Sequence, residues 1–188
     1  MLRPAYVADL SVLRSLIRDG AVRGDIDREL ATPSPKATIF FETLRKALAS
    51  GYFVEEHPLT GASLTVAAPA YLYRPEGIPT EKPIGFGIFK ALTTGYQLWL
   101  AGLATAWRGQ GYGRAMITAL LNSPHGKQTY LIRLLAGGTD NEPMGHLLES
   151  LGYKLAQKTS QHLSYVRNDT PDDLLEILLA PASRLKRG

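Results

Sequence analysis

With 188 residues, 45% of them apolar, the chain is long enough to bury a core in one domain. It contains no cysteine, which excludes disulfides, thiolate metal sites and a cysteine acyl-enzyme, and no apolar run reaches the roughly 18 residues that span a bilayer. The formal charge of +4 and the pI near 9.3 suit an anionic ligand, although the basic residues are scattered and form no stripe. No signal peptide is read, and a cytoplasmic location is expected.

In chain order, residues 2–6 read as a short opening strand, with Pro4 suited to an edge or a strand end. Residues 7–18 follow as a helix in which Leu10, Leu13, Leu16 and Ile17 share a face, and Gly20 is expected to end it. Residues 24–30 are charged and ambiguous, and 31–35 read as a loop by their prolines. A second helix is predicted over 38–50, with Phe40, Phe41, Leu44, Ala47 and Leu48 inward and Gly51 at its end. Strand signals occupy 52–55 and 64–73, the second broken near Pro69, with a turn at 57–61 between them. Residues 74–83 form a loop through Pro75, Gly77, Pro79 and Pro83. A strand over 84–91 then turns at Thr93, Thr94 and Gly95 into the next strand, so these two are antiparallel.

Residues 98–104 are apolar and few, which reads as a buried strand. The run Arg108-Gly109-Gln110-Gly111-Tyr112-Gly113 follows, and then a helix with Tyr112, Ala115, Met116, Ala119 and Leu120 on one face. Strand, glycine turn and helix together present backbone N–H groups to an anion. The first N–H groups of a helix have no internal partner, the aligned peptide dipoles add positive charge there, and glycines let a phosphate approach the backbone. Arg108, at the mouth of the turn, is placed to add a bidentate contact to a phosphate. Two other phosphate motifs fail. No Gly-x-x-x-x-Gly-Lys-Ser/Thr occurs, and the third glycine of Gly-x-Gly-x-x-Gly falls on Arg114 or Met116 in the two registers available.

Beyond a loop at 122–126, residues 130–136 read as a strand, and the helix between makes it parallel to the one before. Thr139 or Asp140 is a suitable cap for a helix over 142–151, with Pro143 in its first turn and Gly152 at its end. Residues 153–157 and 162–167 read as a last strand pair and 172–179 as a short helix. Residues 1–188 are thus read as a single domain, with 171–188 a C-terminal helix and tail.

The Arg-x-x-Gly-x-Gly run after a buried strand resembles the acetyl-CoA pyrophosphate loop of the GNAT superfamily of N-acetyltransferases. Asn141, a helix and then Gly152-Tyr153 match a second landmark of that family, and order and spacing agree over 84–167. The resemblance implies an α/β (α+β) fold: a mixed, mostly antiparallel sheet flanked by helices, with a parallel strand-helix-strand unit at its centre. It implies a V-shaped opening between the two parallel strands for the pantetheine of CoA, and two N-terminal helices that shape the acceptor side.

What the resemblance implies about chemistry is direct acetyl transfer from acetyl-CoA, as cosubstrate, to the amine of a small molecule or a protein. The cofactor contacts carried over are Leu103, Ala104, Arg108, Gly109, Gln110, Gly111, Tyr112, Gly113, Arg114 and Asn141, with the backbone N–H of Leu103 polarising the carbonyl. Where some members carry a glutamate base, this chain has Gln97, which can position a water but cannot take a proton. Where a tyrosine often protonates the leaving sulfur, it has Leu148. Tyr165 is the substitute carried forward. His57, His146, His162 and Glu149 are further candidates, each explained more simply by a surface or packing role. No metal is expected. Two other readings stay open: a non-catalytic acyl-CoA binder or regulatory protein of the same fold, and a toxin-like acetyltransferase acting on aminoacyl-tRNA. No membrane partner is expected, and a homodimer is left open.

Overall fold

The computed structural model describes residues 1–56, 63–78, 80–136 and 141–179; the turn expected at 57–61, with His57, and the cap expected at 139–140 lie outside them. The chain opens with β1 (Leu2–Pro4), and a 3-10 turn over Val7–Asp9 leads into α1 (Leu10–Arg23). The carboxylate of Asp9 accepts the Tyr6 N–H and both terminal guanidinium nitrogens of Arg3, which fixes this entry. The first helix passes through Gly20 instead of ending there. A side chain at Gly20 would collide with Ile26, so the glycine serves packing, and the left-handed residue that stops the helix is Gly24 (φ 82°).

The second helix, α2 (Pro35–Ser50), starts three residues before its expected start, inside the stretch expected to be a loop. Pro35 is a starter here: the Ser34 side chain accepts from the N–H of Ala37, and proline in the first turn lacks only an N–H that has no partner anyway. Gly51 (φ 82°) ends α2 as expected.

Next come β2 (Tyr52–Glu56) and β3 (Ser63–Ala67), which pair with each other outside the main sheet. The break at Pro69 therefore divides two sheets. The remaining elements are β4 (Ala70–Tyr73), β5 (Gly85–Ala91), β6 (Tyr96–Leu103), α3 (Tyr112–Leu121), β7 (Thr129–Leu135), α4 (Asn141–Ser150), β8 (Tyr153–Lys158), β9 (His162–Arg167) and α5 (Asp172–Leu179). The main sheet runs β1-β4-β5-β6-β7-β9-β8, and every neighbouring pair is antiparallel except β6–β7. This is the expected mixed sheet with a parallel unit at its centre.

On one face, Leu13 and Ile17 of α1 and Phe41 and Leu44 of α2 pack against Leu72, Phe86 and Ile88. On the other, α3 and α4 bring Met116, Ile117, Leu120 and Leu148 onto Phe89, Leu98, Ile132 and Tyr165. Ala115, expected inward on α3, is exposed, and Ile117 takes that place. The short α5 lays Leu174 and Leu178 on Leu131 and Val166. Those two alternate with Ile132 and Tyr165, so α5 lies on the α1–α2 side of the sheet. Between α3 and β7, the Nδ1 of His125 and the hydroxyl of Tyr71 are 2.7 Å apart, and the rings of Phe89 and Tyr96 flank the imidazole. Burial lowers the pKa of His125. No helix among the described residues is long and apolar enough to cross a membrane.

Candidate active site

The site begins where β6 and β7 part. Their last paired residues are Leu98 and Ile132, yet β6 continues to Leu103 and β7 to Leu135. The cause lies in β6 itself. Ile88 of β5 faces Leu100 while its neighbour Phe89 faces Leu98, so Trp99 is one residue too many. Such a bulge bends the strand that carries it, and the Trp99 ring is held among Phe40 and Phe53 on the α2 side. The opening is a cleft of about 480 Å³. Its walls include the apolar side chains of Leu103, Ile132, Leu134, Met144 and Leu148, and Gly109, Gly111, Gly113 and Arg114 stand at its mouth.

By strand alternation two backbone donors of β6, the N–H groups of Ala101 and Leu103, face this opening. The N–H of Ala104 is donated to Ile84 at 2.8 Å, toward β5. Successive strand N–H groups point to opposite sides, so that of Leu103 turns toward β7 and the gap. Ala104, carried over as a cofactor contact, already uses its own N–H within the sheet.

After β6 a 3-10 turn over Thr105–Trp107 leads into the glycine loop. Gly109 (φ 72°) and Gly111 (φ 84°) are left-handed, a conformation that glycine adopts without the steric cost of a Cβ. Gly111 is the N-cap of α3, with no side-chain cap. The first hydrogen bond into the helix is that of the Ala115 N–H to Gly111, at 3.2 Å, and the N–H groups of residues 109–114 have no acceptor among the described residues. A Cβ on Gly109, Gly111 or Gly113 would meet no heavy atom within 4 Å. Open space in front of a row of undonated N–H groups at a helix start is suited to an anion.

Side chains near the loop are committed elsewhere. Arg108, expected to reach outward to a phosphate, is turned inward: its Nε donates to the Leu103 carbonyl at 2.9 Å and its Nη1 to the Asp25 carboxylate. It locks the end of β6 to the turn after α1. Asp19 of α1 does the same one step earlier, accepting the N–H of Thr105 at 2.6 Å and its hydroxyl at 3.0 Å. The ring of Tyr112 packs edge-on against Trp107, and the Gln110 amide donates to the Ala106 carbonyl. Arg114 reaches across to Ser150 at the end of α4. Asn141 opens α4, but its side chain lies outside what is described.

The candidate acid and base residues do not gather in the cleft. Gln97 is 6% exposed and lines a second pocket, of about 630 Å³, on the α5 side of the sheet. Tyr165 is buried beneath α4, with its hydroxyl against Gly145. Burial first, and the charge of Glu149 second, raise its pKa. Leu148 is fully buried in the cleft wall. His146 and Glu149 are exposed on α4, 3.7 Å apart. His162 shares the second pocket with Gln97, and burial, followed by the charge of Arg133, lowers its pKa. Sequence reasoning missed Asp19, Asp25 and Arg133. Only the charge density of residues 24–30 hinted at the second of these.

The family model described as the acetyltransferase (GNAT) family matches residues 40–153. Among curated proteins none matches. Among solved structures, the chain is similar to the ribosomal-protein-alanine N-acetyltransferase of Brucella melitensis, at 18% identity and a TM-score of 0.53, over 88% of this chain and 96% of that one. It is similar to the ribosomal-protein-S18-alanine N-acetyltransferase of Escherichia coli at 14% identity and a TM-score of 0.52, over 88% and 89%. It is also similar to the PaiA N-acetyltransferase of Thermoplasma acidophilum, solved in complex with coenzyme A, at 12% identity and a TM-score of 0.55, over 89% and 98%. These likenesses are of fold.

Proposed function

Because the chain belongs to the acetyltransferase (GNAT) family, we propose that it transfers an acetyl group from acetyl-CoA directly to an amine. The observation that carries this reading is the parting of β6 and β7 with the Leu103 N–H turned into the gap and the open glycine loop at its mouth. In this reading the N–H groups of 109–114 hold the pyrophosphate and the apolar cleft takes the pantetheine arm. The Leu103 N–H stabilises the oxyanion, a contribution of about 3 kcal/mol for one well-aimed donor. The amine nitrogen bonds to the acetyl carbon, the carbon–sulfur bond breaks, and CoA leaves as a thiolate that water protonates. The amine loses its own proton to water. That a solved relative of this fold binds coenzyme A supports the choice of donor.

Gln97 cannot take a proton and Leu148 cannot give one. The acceptor therefore reacts as the neutral amine, and turnover rises with pH toward the acceptor's own pKa, about 8 for an α-amine and about 10.4 for a lysine. Residues 1–188 act as one domain in this reading, supported by a sheet that joins β1 from the start of the chain to β8 and β9 near its end. The test is thermal unfolding with acetyl-CoA. A ligand at about 100 times its Kd adds about 2.7 kcal/mol, which for a chain of this size raises Tm by roughly 5 to 11 °C. No shift with acetyl-CoA or with longer acyl-CoAs would sink the assignment. The lack of titrating side chains at Gln97 and Leu148 favours a second reading, a non-catalytic acyl-CoA binder, which binding without thiol release across a broad amine panel would select.

A further inference from the structure

We infer that the second pocket, behind Gln97, is the acceptor site, and that it takes a small amine carrying its own anionic group, a carboxylate or a phosphate. This rests on the acetyl-transfer reading and gives its acceptor a chemical class.

Three observations carry it. The first is position. Arg133 of β7 lines both the cleft and the pocket, so the two meet at the strand that forms one wall of the gap. An amine seated on the α5 side approaches the acetyl carbon from the face opposite α3 and α4. The second is a pair of polar side chains with nothing to bond. Gln97 (6% exposed) and Ser164 (1% exposed) both line the pocket, and neither side chain has a hydrogen-bond partner among the described residues. Neither is among the buried side-chain atoms sealed from solvent without a partner, so the amide and the hydroxyl open onto the pocket, where a polar ligand in place of water would bond both.

The third is charge. The titratable side chains lining the pocket are Lys90, Arg133 and His162, and none of the lining residues is a carboxylate. Lys90 has a partner of its own. Arg133 gives one nitrogen, Nη2, to the Leu178 carbonyl at 3.1 Å, and the rest of its fork has no partner among the described residues. A guanidinium edge fits the two oxygens of a carboxylate or phosphate. With its pKa lowered, His162 is neutral at pH 7 and above, where it adds a hydrogen-bonding group and no charge. A polyamine would bring positive charge to a wall that already carries it. The floor, from Leu174, Ile177 and Leu178 of α5, leaves room for an apolar side chain on the acceptor.

The experiment follows thiol release from acetyl-CoA by the full chain. The acceptors are amino acids and their amides, which differ in the carboxylate alone, together with an aminosugar phosphate, its unphosphorylated parent and putrescine. Acetyl-CoA binding is measured separately by calorimetry. The expected result is a kcat/KM about tenfold or more higher for the anionic member of at least one pair; which pair shows it distinguishes carboxylate from phosphate. Arg133→Ala should raise the acceptor KM about tenfold and remove the preference, with a smaller change in the acetyl-CoA KM because Arg133 also borders the cleft, and Arg133→Lys should restore part of the preference. Arg133 is exposed, so the variant should fold, which circular dichroism checks. If acetyl-CoA binds but amides, parent sugar or putrescine react as well as the anionic amines, or the preference survives in Arg133→Ala, the inference about the pocket is overturned alone. If acetyl-CoA does not bind, the acetyl-transfer reading falls and this one falls with it.

Discussion

Replacing Gly111 by aspartate separates what the loop does for the fold from what it does for a nucleotide. The fold should feel only the backbone: φ at Gly111 is 84°, and a Cβ there meets nothing within 4 Å. A left-handed L-residue costs about 1 to 2 kcal/mol, and aspartate tolerates that region better than most, so about 1 kcal/mol is expected. That is a fall in Tm of roughly 2 to 4 °C. Binding should suffer more. A carboxylate about 4 Å from a phosphate charge is opposed by about 4 kcal/mol at an effective dielectric of 20. The loop is exposed, and salt reduces this to about 2 to 3 kcal/mol, roughly 30- to 150-fold in Kd. Calorimetric titration of CoA into wild type, Gly111→Asp and Gly111→Ala, at low and high salt, reads this directly. The alanine variant carries the backbone strain and the bulk without the charge, so its loss should be smaller and insensitive to salt. Gly111→Asp binding CoA within about twofold of wild type, with the expected drop in Tm, would place the nucleotide away from this loop.

Asp25→Asn keeps the size but removes the charge opposite Arg108, whose side chain is 17% exposed; it should cost about 2 kcal/mol in urea unfolding and raise the acetyl-CoA KM several-fold, and no change in either would show that the pair does not hold the loop. Gln97→Ala should lower turnover by about tenfold, about 1.4 kcal/mol, while the rise of rate with pH survives; loss of that pH dependence with CoA affinity intact would mean that the proton leaves by a route Gln97 controls. His125 and His162 both have pKa values lowered by burial, so the unfolded chain takes up the proton first. Their contribution to stability is complete above about pH 6.5, the unfolded value, and is lost as pH falls through the lower folded values. Urea unfolding between about pH 5 and 8 should show this decline, less steep in His125→Gln; an unchanged slope in the variant would refute the assignment to His125.

The strand, loop, helix and parallel strand at the centre were legible because their signals are local: an apolar run, three glycines at alternate positions, a helical stripe. The end of α1 was not, because whether Gly20 stops the helix depends on Ile26 packing against it. The start of α2 was misread for a different reason. Pro35 reads as a breaker in the run 31–35, whereas Ser34 before it makes it a first-turn residue. In the site, the loop's backbone could be read but not the partner of Arg108, which lies 83 residues upstream. The facing of Gln97 shows how one residue upsets a pattern. Strict alternation puts residues 97, 99, 101 and 103 on one face. The extra residue at Trp99 inverts that count, so Gln97 faces α5 while Leu103 packs toward α3. Nothing in the local sequence announces a bulge there.

The two carboxylates that hold the loop, Asp19 and Asp25, come from a helix and turn more than eighty residues before it. The motif and its rigidity are therefore separable properties, supplied by different parts of the chain. A chimera that keeps everything from α2 onward but takes its first helix from a relative would carry every glycine of the motif in place. It would inherit the donor's fastening, or none. Its affinity for CoA would then change by the entropy of a loop left to wander, although no residue within reach of the nucleotide had been altered.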